Sequence, residues 1–269
     1  MNIEKYLNRI NYTKKVSIDV ETLNALQEAH LKSIPFENLD IHYARKIELN
    51  IPSLFKKVIE NKRGGFCYEL NALFYQLLKE IGFDVKMISA RVYNNIGDTE
   101  KSTSYNPNYD HMAIIATLEE QDFLTDVGFG EFSLHPLPIQ LNTIQQDPLG
   151  KFIFDKFDEN YFRVNEIVME DRKEKIIPQY LFETQSRELE EFEQMCNFHQ
   201  TSSESHFTKG MLIYLLKEDK LKGNKKITLT DKKLKIRTLD DVVLEEIYFE
   251  DTDRTQFEKF LFEHFSIKI

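Results

Sequence analysis

The sequence predicts an α+β chain of three successive stretches: helical over residues 1–82, β over 83–185 and mixed α/β over 186–269. Apolar residues recur at helical spacing up to Gly82, and beyond it short β-branched and aromatic segments alternate with polar loops. Composition agrees: 41% hydrophobic residues with only nine glycines and seven prolines excludes disordered and collagen-like chains.

In the first stretch Leu23, Leu26, Ala29 and His30 share a helical face behind a cap at Ser17 or Asp19. Pro52 takes a first-turn position ahead of Leu54, Phe55, Val58 and Ile59. Leu70, Leu73, Phe74, Leu77, Leu78 and Ile81 make the strongest helical pattern in the chain, and Gly82 supplies its stop. FDVKMISARVY, HMAIIATL, FLTDVGF, KFIFDKF and YFRVNEIVM then read as strands of an antiparallel sheet or small barrel. In the last third SRELEEFEQMCNF reads as a helix and ITLTDKKLKIRT as a hairpin. RTQFEKFLFEHF closes the chain as a helix with Phe257, Phe260, Leu261 and His264 on one face.

With 35 Lys+Arg against 45 Asp+Glu, the net charge of −10 argues against a nucleic-acid partner, which needs clustered cations. Two cysteines make no disulfide framework and point to a reducing compartment, the cytoplasm. MNIEKYLNRINYTKK lacks the apolar run of a signal peptide, and HMAIIATL and GMLIYLL are too short to span a bilayer. A soluble, intracellular protein with no membrane partner is expected. Cys196, His199 and His206 are ligand types close in sequence, but irregular spacing and no fourth ligand point to no metal. The Lys-rich stretch 217–237 reads as solvated hairpin flanks. Gly150–Lys151 lacks the upstream glycine and following Ser/Thr of a phosphate loop.

The chemistry starts at Cys67 in RGGFCYELN, immediately before the strongest helix. A helix N-terminus favours thiolate through its unpaired N–H groups, so a lowered thiol pKa is expected. Gly64 and Gly65 would let the backbone turn sharply and keep bulk away from substrate, and Arg63 would add positive charge. The ordinary alternative, a small buried hydrophobe, is the reading for Cys196. A thiolate needs a base, and the base an orienter. His111 opens a strand after the loop NNIGDTEKSTSYNPNYD, and Asp126 ends FLTD, so neighbouring antiparallel strands would set the two side by side. A capping Asp126 and a half-buried His111 are the plainer alternatives. Asp110, adjacent to His111, would point to the opposite face and is read as loop-polar.

Together, PFENLD at residues 35–40, RGGFCYELN, the HM at His111 and DVGFG resemble the arylamine N-acetyltransferase family. The motifs stand in the family's order and the match extends over most of the chain, clearest through about residue 138. The resemblance implies an N-terminal helical bundle, a central antiparallel β-barrel and a C-terminal α/β lid. It also implies a Cys-His-Asp triad as in cysteine-protease-like folds, at the junction of bundle and barrel. Cys67 is then the nucleophile, His111 the base and Asp126 the orienter, with Glu37 and Arg63 a supporting ion pair. Phe36 and Phe129 match positions flanking the acyl-Cys. NFHQTSSESHF matches a segment beside the cofactor cleft and implies CoA contacts at Thr201 and Ser205; Ser203 stands where many members carry proline, and Leu70 where a polar residue is common. The implied reaction is ping-pong transfer of acetyl from acetyl-CoA, a cosubstrate and not a bound cofactor, to an arylamine, arylhydrazine or N-hydroxyarylamine. Alternatives are an amide synthase of the same fold acting on polyketide-type chains, a cysteine hydrolase using the same triad, and a non-catalytic binding module.

Overall fold

Local sequence signals set the helices in the first stretch. The computed structural model describes residues 1–94, 104–218, 223–250 and 253–269. Helix α1 spans Ile3–Arg9 and α2 Val20–Ser33; Asp19 is the cap of α2, its carboxylate accepting from the Thr22 N–H at 2.7 Å. A two-residue strand, β1 (Phe36–Glu37), precedes the short helix α3 (Leu39–His42). Asn50 caps α4 (Ile51–Phe55), which carries Pro52 in its first turn and runs on as a π-helical turn at Lys56–Glu60. Helix α5 is Cys67–Ile81, ended by Gly82 at φ +111°, a left-handed conformation open to glycine. Ten of its fifteen residues are buried, so it is the central post of the helical layer.

Nine strands follow: β2 (Asp84–Asn94), β3 (Ser104–Tyr105), β4 (His111–Leu118), β5 (Gln121–Thr125), β6 (Leu137–Pro138), β7 (Ile144–Asp147), β8 (Gly150–Lys156), β9 (Phe162–Glu170) and β10 (Lys173–Phe182). They form one antiparallel sheet in the order β6-β5-β4-β2-β10-β9-β8-β7, with β3 paired to β2. The sheet curls into a nearly closed barrel. Its interior holds Ile88, Ile115, Leu124, Phe152, Phe154 and Phe182, while the other face of β2 and β4 packs Met87, Met112 and Ile114 against α5. Two-sided burial explains why HMAIIATL is apolar almost throughout. The register of β9 and β10 shifts between Pro178 and Tyr180, a bulge that leaves Gln179 unpaired just after a proline with no ladder N–H to give.

The last third contains α6 (Glu193–Thr201), β11 (Leu212–Lys217), β12 (Lys225–Thr230), β13 (Lys233–Thr238), β14 (Val243–Tyr248) and α7 (Arg254–Phe265). The expected helix over SRELEEFEQMCNF begins later, as a 3₁₀ turn at Leu189–Phe192 leading into α6. Strands β12 and β13 are the expected hairpin. The second sheet has the order β1-β11-β12-β13-β14, so residues 36–37 form one edge of a sheet built otherwise from the C-terminal third. Asn38 fastens that edge. It donates to the carbonyls of Phe207 (3.0 Å) and Gly210 (2.9 Å) and accepts from the Leu212 N–H at 2.8 Å. Residues 95–103 of the polar loop before His111 and 219–222 of the Lys-rich stretch lie outside the described residues. In the described part of that stretch Lys226 is the exception to the reading as solvated flank: it is buried and pairs with Asp241 at 3.0 Å.

Beneath the start of α5 lies a buried ionic cluster. Arg63 Nη2 is 2.8 Å from Glu37 Oε1 and 3.0 Å from Asp40 Oδ1, and Lys57 Nζ lies 2.8 Å from both Asp40 and Glu69. Three carboxylates face two buried cations, with the exposed Arg45 a further cation 3.8 Å from Asp40. Burial works against the Lys57 ammonium, but Glu69, Glu37 and Asp40 outweigh it and hold its pKa above the usual value. Glu69 bears the imbalance: burial, with Glu37 and Asp40 adding to it against Lys57, pushes its carboxyl up to about 7. The folded state therefore binds a proton that the unfolded chain releases near pH 4.5, and stability falls as pH rises from there to about 7. Replacing Glu69 with Gln keeps an acceptor for the Phe66 N–H, now 3.1 Å from the carboxylate. The variant is expected to flatten the dependence of denaturation midpoint on pH over this window, a slope worth about 3 kcal/mol at most. Urea melts at several pH values check this; an unchanged slope assigns it elsewhere.

Candidate active site

Cys67 is the first residue of α5, and its thiol is buried at the wall of a cavity of about 280 Å³. His111, Asp110, Phe36, Phe129, His206, Phe207 and Tyr214 line the same cavity, so all three stretches of the sequence contribute to it. His111 is the first residue of β4 and Asp126 follows the last residue of β5; the register pairs Ile114 with Thr125. That antiparallel pairing brings His111 Nε2 to 2.7 Å from Asp126 Oδ2.

Asp126 is held by four donors. Its Oδ1 accepts from Asn71 Nδ2 (2.9 Å) and the Gly128 N–H (2.9 Å), its Oδ2 from His111 Nε2 and Tyr180 Oη (3.1 Å). A carboxylate has about four acceptor positions, and all are used. With Nε2–H committed to the carboxylate, the imidazole's Nδ1 is the nitrogen able to take up a proton. Asn71 and Tyr180 carried no role in the sequence reading. Asn71 stands one turn after Cys67 on the same helix face, a spacing that could have flagged it. Tyr180 follows the bulge marked by Pro178, and its phenol reaches the barrel interior there. Gln27 adds a link from α2, accepting from the Asp126 N–H at 3.2 Å.

Three local expectations are corrected. The thiol is not simply acidified by its helix: burial pushes Cys67 up, the Asp110 carboxylate, Cys196 and Asp126 add to it, and the Tyr68 N–H alone opposes them. Burial and the neighbouring carboxylates therefore work against the thiolate at this helix start. Gly64 and Gly65 do not serve a left-handed turn or substrate clearance. A Cβ at Gly64 would lie 2.0 Å from the Pro35 carbonyl oxygen, and one at Gly65 2.7 Å from Glu69 Cβ. They are glycines because the chain passes hard against β1 and α5. Asp110 is not a solvated loop group turned away from the site: it is 6% exposed, lies just before β4 where strand alternation does not hold, and lines the same cavity as His111.

The remaining candidates fall into two groups. Phe36 and Phe129 are on the cavity wall, and the Phe129 ring lies 5.1 Å from that of His111. Arg63 is engaged with Glu37 and Asp40, as an ion pair. Thr201 and Ser205 are not among the lining residues; Thr201 Oγ1 donates to the Asn197 carbonyl and Ser205 Oγ is 3.0 Å from His199 Nδ1. Leu70 is fully buried. Cys196 is buried away from this cavity and burial pushes its thiol up to about 12. Among the described residues no His/Cys/Asp/Glu group is arranged to hold a metal, and no helix is long and apolar enough to cross a membrane.

A thiol at a helix start, sharing a cavity with a carboxylate-backed imidazole where helices meet a barrel, is the arrangement that nucleophilic cysteine chemistry requires. The likeness to known proteins is specific. Residues 19–269 match the family model described as N-acetyltransferase. Arylamine N-acetyltransferase 2 of Rattus norvegicus is 32% identical over 77% of this chain and 75% of its own length. The arylamine N-acetyltransferase of Mycobacterium smegmatis superposes with a TM-score of 0.85 at 26% identity, covering 100% of this chain and 93% of that one. That of Mycobacterium marinum, solved in complex with CoA, gives 0.84 at 26%, covering 99% and 93%. The chain belongs to the arylamine N-acetyltransferase family.

Proposed function

We propose that the chain transfers an acetyl group from acetyl-CoA to a small aromatic amine or hydrazine by way of an acetyl-Cys67 intermediate. The observation that carries this reading is the convergence of Cys67 and the His111–Asp126 pair on one aromatic-walled cavity. Cys67 Sγ passes its proton to His111 and attacks the thioester carbonyl. CoA leaves as a thiolate and takes the proton back, and the acetyl group stays on sulfur. The amine nitrogen then attacks the acetyl carbonyl, the Cys67 thiolate departs, and His111 moves the excess proton from nitrogen to sulfur. Asp126 holds the imidazole in the required tautomer and stabilises its cation. Phe36 and Phe129 offer flat apolar faces to an aromatic acceptor.

CoA as donor is supported by the Mycobacterium marinum relative, which binds it. It enters this reading as a substrate, with no resident cofactor, and its contacts would include the segment holding Thr201 and Ser205. Three units, 1–82 with the nucleophile, 83–185 with His111 and Asp126, and 186–269 as a lid, follow the same reading, as does a cytoplasmic setting.

Incubation with acetyl-CoA and no acceptor tests the proposal. One acetyl group should appear on the intact protein and map to Cys67 in peptide mass spectra, then disappear when an arylamine is added. An unmodified Cys67, or acetyl lost as fast to water as to amine, overturns it.

A further inference from the structure

The cavity that holds Cys67 is apolar on most of its wall, yet one carboxylate in it has no lysine or arginine beside it. Among the described lining residues there is no lysine or arginine. Glu131, a second lining carboxylate, is occupied by Arg237 and, at 3.5 Å, by Lys226. Asp110 has different neighbours. Its Oδ2 accepts from the neutral Asn106 amide at 2.9 Å, and its Oδ1 lies 3.2 Å from His199 Nε2, whose ring is fixed on its other side by Ser205. No described lysine or arginine pairs with it. Two oxygens with one neighbour each leave acceptor positions unused. Phe36, Phe129 and Phe207 surround the same space, and aromatic faces attract cations. The net charge of −10 also draws cations toward the protein and repels anions.

We infer that Asp110 makes this cavity selective for acceptors carrying a second, protonated amine, and against acceptors carrying a carboxylate. The inference rests on the proposed acetyl transfer for its kinetic reading, but the binding preference stands apart from turnover. Within about 7 Å in a partly desolvated site, a unit charge opposite Asp110 is expected to change relative affinity by tenfold or more.

The test uses the full chain and three acceptors whose aniline nitrogens are insulated from the charge by methylene groups: 4-(2-aminoethyl)aniline, 4-ethylaniline and 3-(4-aminophenyl)propionate. Values of kcat/KM should fall in that order, with about a tenfold or larger step on each side of the neutral compound. Asp110→Asn should compress the cation-to-anion ratio by at least tenfold, whereas Glu131→Gln should leave it within about threefold. In parallel, phenethylammonium and 3-phenylpropionate, which cannot be acetylated on an aromatic nitrogen, are compared as protectants of Cys67 against iodoacetamide; only the first should protect. If no acceptor is acetylated but phenethylammonium protects, the transfer reading falls and the cation preference stands. Equal rates and equal protection for the three charge types in the wild-type protein overturn the inference without reference to any variant. So does a preference that vanishes in Glu131→Gln.

Discussion

Asp126→Asn is expected to lower the rate of acetyl-Cys67 formation by about 10³–10⁴-fold, the scale on which loss of the orienting carboxylate acts in comparable triads. The reason lies in the donor count. Asn71 Nδ2, the Gly128 N–H, His111 Nε2 and Tyr180 Oη all point at the two oxygens. An asparagine offers one oxygen and a donating amide, so whichever way it turns, one pair of donors meets an N–H₂ group. If the amide faces His111, the ring must present a bare Nε2, and the proton sits on Nδ1, where a base is needed. If it faces Asn71 and Gly128, the loop after β5 loses the contacts that close it. Stopped-flow release of CoA measures the step, and circular dichroism checks the fold. A folded variant within tenfold of the parent would remove Asp126 from the mechanism.

Gly128→Ala is expected to lower the same rate by about a hundredfold and to cost roughly 1–3 kcal/mol of stability. An added Cβ would stand 2.7 Å from Cys67 Cα, 2.8 Å from Asn71 Nδ2 and 3.0 Å from the Cys67 carbonyl oxygen. Two of those three atoms are backbone and cannot swing aside. The loop bearing Asp126 and the helix bearing Cys67 must therefore separate, and the separation acts on the reacting groups. Gly210→Ala is the comparison: its Cβ would meet nothing nearer than Asp231 Oδ1 at 3.6 Å, and both stability and rate should stay close to the parent. Equal behaviour of the two variants would refute the packing argument.

The elements most legible in the sequence were those with local causes. Helix α5 announced itself by apolar spacing and by Gly82, and the β4–β5 pairing followed from two adjacent apolar segments. The geometry around Asp126 was half legible: His111 and Asp126 stand across one strand pair, but Tyr180 arrives from a strand distant in sequence and left no local sign. Asp110 was misread because strand alternation was extended one residue beyond the strand, which begins at His111. The burial that raises the Cys67 thiol was not legible either, because a helix terminus is visible in sequence and burial is not. Strand β1, two residues long, had no pattern to show.

That two-residue strand also orders events in time. Asn38 and Leu212 are 174 residues apart, and their hydrogen bond closes a long loop at the strand that brings Phe36 beside Tyr214 in the cavity wall. During synthesis Cys67, His111 and Asp126 leave the ribosome well before Phe207 and Tyr214 exist to cover them. Closure of so long a loop carries a large entropic cost and belongs to the late, slow part of folding. A nascent chain thus holds its thiol against open water until translation is nearly finished, and the C-terminal third that covers the sulfur is the last thing it acquires.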